Sequence, residues 1–111
     1  PKELRETIET NLTAFCLRKI PLEHRQQLRL NYTIRGHHVT LTEERVEFRE
    51  PGTWISNPIA QFRHEPETDL WTLFCADRNN RWHRYQPAEP ARDIGALLYA
   101  MENDTSGIFW G

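Results

Sequence analysis

A chain of 111 residues with 38% hydrophobic and 27% charged side chains has room for one domain with a modest core and is too apolar to stay disordered. Its formal net charge of −2 excludes a global field that gathers nucleic acid or anionic membrane, so any such binding needs a local patch. No apolar run is long enough for a membrane span, and the N-terminus is too charged for a signal peptide; we expect a cytoplasmic protein with no membrane partner.

Residues 2–19 read as an amphipathic helix. Leu4, Ile8, Leu12, Phe15 and Cys16 recur at spacings of three and four. Glu3 and Glu6 near its start and Arg18 and Lys19 near its end match the helix dipole, and Pro21 closes it. Residues 21–27 read as a loop. Over residues 28–35, Leu28, Leu30, Tyr32 and Ile34 alternate with Arg29, Asn31, Thr33 and Arg35, the pattern of a half-buried strand. Gly36 supplies the positive φ of a tight turn into a return strand over 38–48. There Val39 and Leu41 share one phase while Val46 and Phe48 take the other, which predicts a bulge near 43–45. Pro51-Gly52-Thr53-Trp54 reads as a turn, and Pro58 bounds a short strand over 59–64.

The stretch from Leu70 to Tyr85 contains two aromatic-rich strands, 70–76 and 81–86, around the polar turn Asp77-Arg78-Asn79-Asn80. The first is apolar on both faces, as an inner strand of a covered sheet requires. Pro87 and Pro90 end the sheet. A second helix is expected over 91–102, with Ile94, Leu97, Leu98 and Met101 on one stripe, Pro90 at its first turn and Asp93 at its positive end. Gly95 within it costs about 1 kcal/mol relative to Ala and points to a close contact. The tail Ile108-Phe109-Trp110 is too apolar to leave in water; burying it stabilises by roughly 5 kcal/mol, on this domain or on a partner. The order is helix, five strands, helix: a single α+β domain over 1–111, with a largely antiparallel sheet and both helices on one face.

The segments LRLNYTIRG at 28–36, VTLTEER at 39–45, PGTW at 51–54, PIAQFRH at 58–64, DLWTLFCADRNNRWHRY at 69–85 and the ending GIFWG cover most of the chain. Together they resemble a bacterial family of small proteins that carries a domain-of-unknown-function label. The resemblance implies a stand-alone cytoplasmic domain and brings no catalytic residue, cofactor or partner.

Three kinds of chemistry compete. Arg78, Arg81, His83, Arg84 and Tyr85 put cations beside an aromatic, the mixture that grips single strands or RNA through phosphates and base faces. With Trp82 pointing inward, Arg81, His83 and Tyr85 share the outer face, and Arg29, Arg35, Arg63 and His64 extend it. The plainer reading pairs these arginines with Glu65, Glu67 and Asp69. A ribonuclease-like reaction needs a base, an acid and a cation near the phosphate, which His64 and His83, with Glu65 and Arg84 or with His37 and His38, could supply. None of the five histidines lies in a catalytic motif. Self-association through an open sheet face, or through Ile108, Phe109 and Trp110 as an interface, is the third. Cys16, Cys75 and the histidines lack chelating spacing, so no metal and no cofactor is expected, and both cysteines read as reduced and buried. We expect a non-enzymatic module that contacts proteins, most simply a homodimer. Trp71, Trp82, Phe109 and Trp110 serve as structural anchors, and nucleic-acid binding is the alternative.

Overall fold

A computed structural model describes residues 2–20, 28–47, 49–50 and 52–109. The expected loop over 21–27 with Pro21, and also Phe48, Pro51 and Trp110, lie outside the described residues. Helix α1 (Lys2–Lys19) is followed by strands β1 (Leu28–Arg35), β2 (His38–Val46), β3 (Trp54–Glu65), β4 (Leu70–Ala76) and β5 (Trp82–Arg84), then by helix α2 (Ile94–Glu102). The strands form one antiparallel meander in the order β1-β2-β3-β4-β5.

Side-chain alternation gives this sheet two unlike faces. Leu30, Val39, Leu41, Phe62, Leu73 and Cys75 point to one side and share a core with Ile8, Leu12 and Phe15 of α1 and Ile94, Leu97, Leu98 and Met101 of α2. Both helices therefore cover the same face, as expected, and the other face has no helix over it among the described residues. An antiparallel meander tolerates this, because each strand can be polar on its wet side. The expectation that β4 is covered on both sides does not hold. Trp71, Leu73 and Cys75 are buried, whereas Phe74 looks out from the open face.

The β1–β2 turn has Gly36 at φ +57°, the first central position of a two-residue hairpin, with open space where a Cβ would stand. The expected bulge near 43–45 is absent, because β1 and β2 pair without a break from Leu28↔Arg45 to Arg35↔His38. The irregularity lies in β3 instead. Leu41 pairs with Ala60 and Thr42 with Pro58, which leaves Ile59 as the extra residue. Pro58 explains its position: it has no N–H to give to a ladder, and β4 pairs with β3 only from Ala60 onward. The change of phase at Val46 needs no bulge, since Val46 faces Trp54 across the β2–β3 ladder. Strand β3 thus runs from Trp54, well before the expected start at 59, and turns the end of PGTW into strand.

Helix α2 starts at Ile94, later than expected. Ala91 exchanges both backbone hydrogen bonds with Trp71, at 2.7 and 2.9 Å, so it belongs to an isolated bridge and Pro90 is not in the first turn. Asp93 is the N-cap, accepting from the Gly95 N–H at 2.9 Å. A Cβ on Gly95 would stand 3.2 Å from the Asp93 carboxylate, so the close contact expected there is with the cap.

The tail docks on its own domain as far as Phe109. Asp104 accepts from the Tyr85 hydroxyl (2.6 Å), the Ser106 hydroxyl and the Gly107 N–H. Phe109 then packs against the Tyr85 ring, with centroids 4.9 Å apart. The hydrogen bond to Asp104 pushes the Tyr85 phenol up to about 12. Ile108 stays exposed. Cys16 and Cys75 are free thiols; Cys16 is half-buried rather than buried, and burial pushes it up to about 11. Burial raises Cys75 as well, so neither is a reactive thiolate at neutral pH.

Candidate nucleic-acid interface

Backbone pairing places one row of side chains straight across the open face: Thr33, Thr40, Gln61, Phe74 and Arg84. The next row contains Arg35, His38, Arg63 and Thr72. Gln61 is almost fully buried within this face. Its amide donates to the Thr40 hydroxyl at 3.0 Å, and its carbonyl accepts from Arg63 Nε at 2.7 Å. That relay holds the Arg63 guanidinium over the Phe74 ring, 3.9 Å from its centroid. Arg84 is directly opposite Phe74 on β5, and Trp82 lies two residues before it on the same face. Two arginines and two aromatic rings therefore form one contiguous patch on rigid strands.

A second stack lies towards the far end of the sheet. Arg29 sits 3.8 Å over the Trp54 ring while its Nε bonds Glu44 at 3.1 Å. The Ser56 hydroxyl and the Asn31 amide donate to the same carboxylate. In all, the open face carries Arg29, Arg35, Arg63 and Arg84 against Glu44 and Glu65, so it is locally positive on a chain that is negative overall. Arg35 and Arg63 have no carboxylate partner among the described residues, and Arg84 meets the exposed Glu89 at 3.7 Å and donates to the Gln86 side-chain carbonyl at 3.5 Å.

The expected surface residues separate. Trp82 and Arg84 are on the open face, whereas His83 pairs with Cys75 and points to the helix side of the sheet edge. This is the reverse of the expectation that Trp82 turns inward. Tyr85 is buried beneath Phe109 and so is not exposed. Arg78 and Arg81 stand exposed in the β4–β5 turn and make no ion pair with Glu65, Glu67 or Asp69 among the described residues. Phe74 was not anticipated as a surface residue; its parity with Thr72, opposite to Trp71 and Leu73, carries the signal.

Asp77 organises that turn. Its Oδ1 accepts the N–H groups of Asn79 (2.8 Å) and Arg81 (3.0 Å), and its Oδ2 accepts from His83 Nε2 at 2.7 Å. The bond from the Arg81 backbone N–H, then that from His83, lowers the carboxyl to about 2. A depressed carboxyl contributes stability that is present above its ordinary value of 3.8 and is lost as the pH falls through the folded value. Nuclear magnetic resonance should therefore show the Asn79 and Arg81 amide shifts moving with a midpoint of about 2, and Asp77→Asn should abolish that transition. A midpoint at the ordinary carboxylate value would show that the turn does not hold Asp77 in this way.

The histidines do not form one site. His83 is bound to Asp77 at the β4–β5 turn, while His64, opposite Trp71, is four residues further along β4, or roughly 13 Å. No group of three His, Cys, Asp or Glu side chains among the described residues could hold a metal ion. No described helix is long and apolar enough to cross a membrane.

Comparison with curated proteins and with solved structures returned no match. The model of the family described as "Domain of unknown function (DUF3024)" matches residues 1–111, and the chain belongs to that family.

Proposed function

We propose that the open face of the sheet binds single-stranded nucleic acid, in a cytoplasmic, non-enzymatic module. One observation carries this reading: Arg63, Phe74, Trp82 and Arg84 form a pre-positioned cation–aromatic patch on a strand surface that neither described helix covers. Base faces stack on aromatic rings and on guanidinium planes, and the remaining guanidinium N–H groups meet phosphates. The grip is sequence-tolerant, because every base has a π-face and every linkage a charge. Arg35 and Arg29 extend a positive track along the same face.

A fluorescein-labelled single-stranded RNA of about a dozen nucleotides should bind, as read by fluorescence polarisation at rising salt. With four arginines neutralising four phosphates, the logarithm of affinity falls with the logarithm of salt at a slope of about −3, roughly a 50-fold loss between 50 and 200 mM. A duplex of the same length should bind more weakly, since its bases are not free to stack. Absence of binding at low salt sinks the proposal, and so does binding with no dependence on salt.

Self-association is the competing reading. Strand β1 is an eight-residue edge strand, unpaired on its outer side among the described residues, and Ile55 and Ile108 are exposed. A light-scattering mass of twice the chain, unchanged by nucleic acid, favours that dimer.

A further inference from the structure

On the helix side of the sheet, away from the arginine face, a cleft of about 350 Å³ opens beside the first half of α1. Gly36 and His37 of the β1–β2 turn and Pro66 of the β3–β4 turn also line it. Leu4, Ile8, Ile34, Val39, Pro66 and Trp71 give it apolar walls, and its polar lining consists of Arg5, His37 and His64. No carboxylate is among the described residues that line it. From this cleft we infer a second site, which takes a small aromatic carboxylate and is independent of the nucleic-acid reading.

The two histidines converge through tertiary pairing. His64 donates its backbone N–H to the His37 carbonyl at 2.8 Å, and the two rings lie 6.1 Å apart. The His64 side chain is only 8% exposed, and its ring packs on the Trp71 indole at 4.8 Å. Asp69, held at φ +59° by the β3–β4 turn, bonds His64 Nε2 at 2.9 Å and fixes the ring's orientation. That bond leaves the Nδ1 edge of the ring for another partner. The His37 side chain makes no hydrogen bond to another described residue, and Arg5 uses Nε on Glu9 at 3.3 Å, which leaves its terminal nitrogens for a ligand.

An apolar cleft with a few convergent polar groups is the usual build of a small-molecule site, and this volume is near the lower end of the range. It suits one or two fused rings rather than a nucleotide. The ring would lie along Ile8, Ile34 and Trp71, with its carboxylate towards the donors of Arg5 and His37, while His64, tied to Asp69, forms the wall beside them. A carboxylate fits because the polar side chains among the described lining are a guanidinium and two imidazoles.

2-Naphthoate titrated into the full chain by calorimetry, with neutral 2-naphthamide as the control, tests this. Naphthoate should bind at least about tenfold more tightly than the amide, since the bonds to its carboxylate are charge-assisted. The backbone amides of Gly36 and His64 should shift on binding. Arg5→Gln with His37→Gln, at exposed positions that leave the core intact, should bring the two ligands to equal affinity. Failure of naphthoate to bind at millimolar concentration overturns the inference. Equal binding of both ligands to the wild type overturns it too, as does an affinity difference that survives the double substitution.

Discussion

Replacing Arg63 and Arg84 together by glutamate should abolish binding of single-stranded RNA. The pair flanks Phe74 from two neighbouring strands, so reversing both charges removes two phosphate contacts and sets two carboxylates where the strand must pass. Stacking and charge contacts of this kind contribute about 1–3 kcal/mol each, so the loss is roughly 100-fold or more at low salt. The neutral double variant, Arg63→Gln with Arg84→Gln, should retain part of the affinity and show a salt slope shallower by about 1.4. Arg5→Glu, on the helix side, should leave RNA affinity within a factor of two apart from its general charge effect. Circular dichroism establishes that each variant is folded. Undiminished binding by the glutamate pair would remove the sheet face from the function.

Phe109→Ala should destabilise the protein by about 3–5 kcal/mol, the usual cost of emptying a buried phenylalanine site. Phe109 is 7% exposed and closes over the Tyr85 ring, while the Tyr85–Asp104 hydrogen bond ties the same segment down from below. Against a total stability of about 5–15 kcal/mol, this is a large share. The thermal midpoint should fall by roughly 10–20 °C for a chain of this size. Scans at two protein concentrations separate the docking modes. A wild-type midpoint independent of concentration means that the tail folds on its own chain. A midpoint that rises with concentration, and that Phe109→Ala renders independent of it, places the tail on a partner.

The two predictions test different links. The arginine pair tests whether a surface is used, and Phe109 tests whether the end of the chain belongs to the core.

Local periodicity determined several elements directly. Residues 28–35 alternate cleanly between apolar and polar, and β1 occupies those positions. The stripe from Leu4 to Phe15 gave α1 its bounds and its buried face. Gly36 marked a turn because its positive φ is one that other residues rarely adopt. The resemblance carried by PGTW, PIAQFRH and GIFWG pointed to a domain-of-unknown-function family, and the whole-chain match bears that out.

Tertiary structure alone decided the rest, wherever local contrast was weak or the partner lay far along the chain. Strand β4 is apolar at every position but Thr72, so that one residue's parity is the whole sequence signal for Phe74; its pairing with Arg84 and Gln61 sets it on the open face. The same register turned Trp82 outward and His83 inward, because a shift of one residue exchanges the faces of a strand. Asp93, immediately before Ile94, is a cap legible in the sequence, whereas the bridge between Trp71 and Ala91 that occupies the residues ahead of it is a tertiary contact that nothing in residues 91–102 announces. The meeting of His37 with His64 came from the pairing of His38 with Arg63, a contact between strands that hydrophobic patterning cannot register. Patterning fixes which side of an element is buried when its two sides differ. Which residues of separate elements come to share a surface is fixed by long-range register.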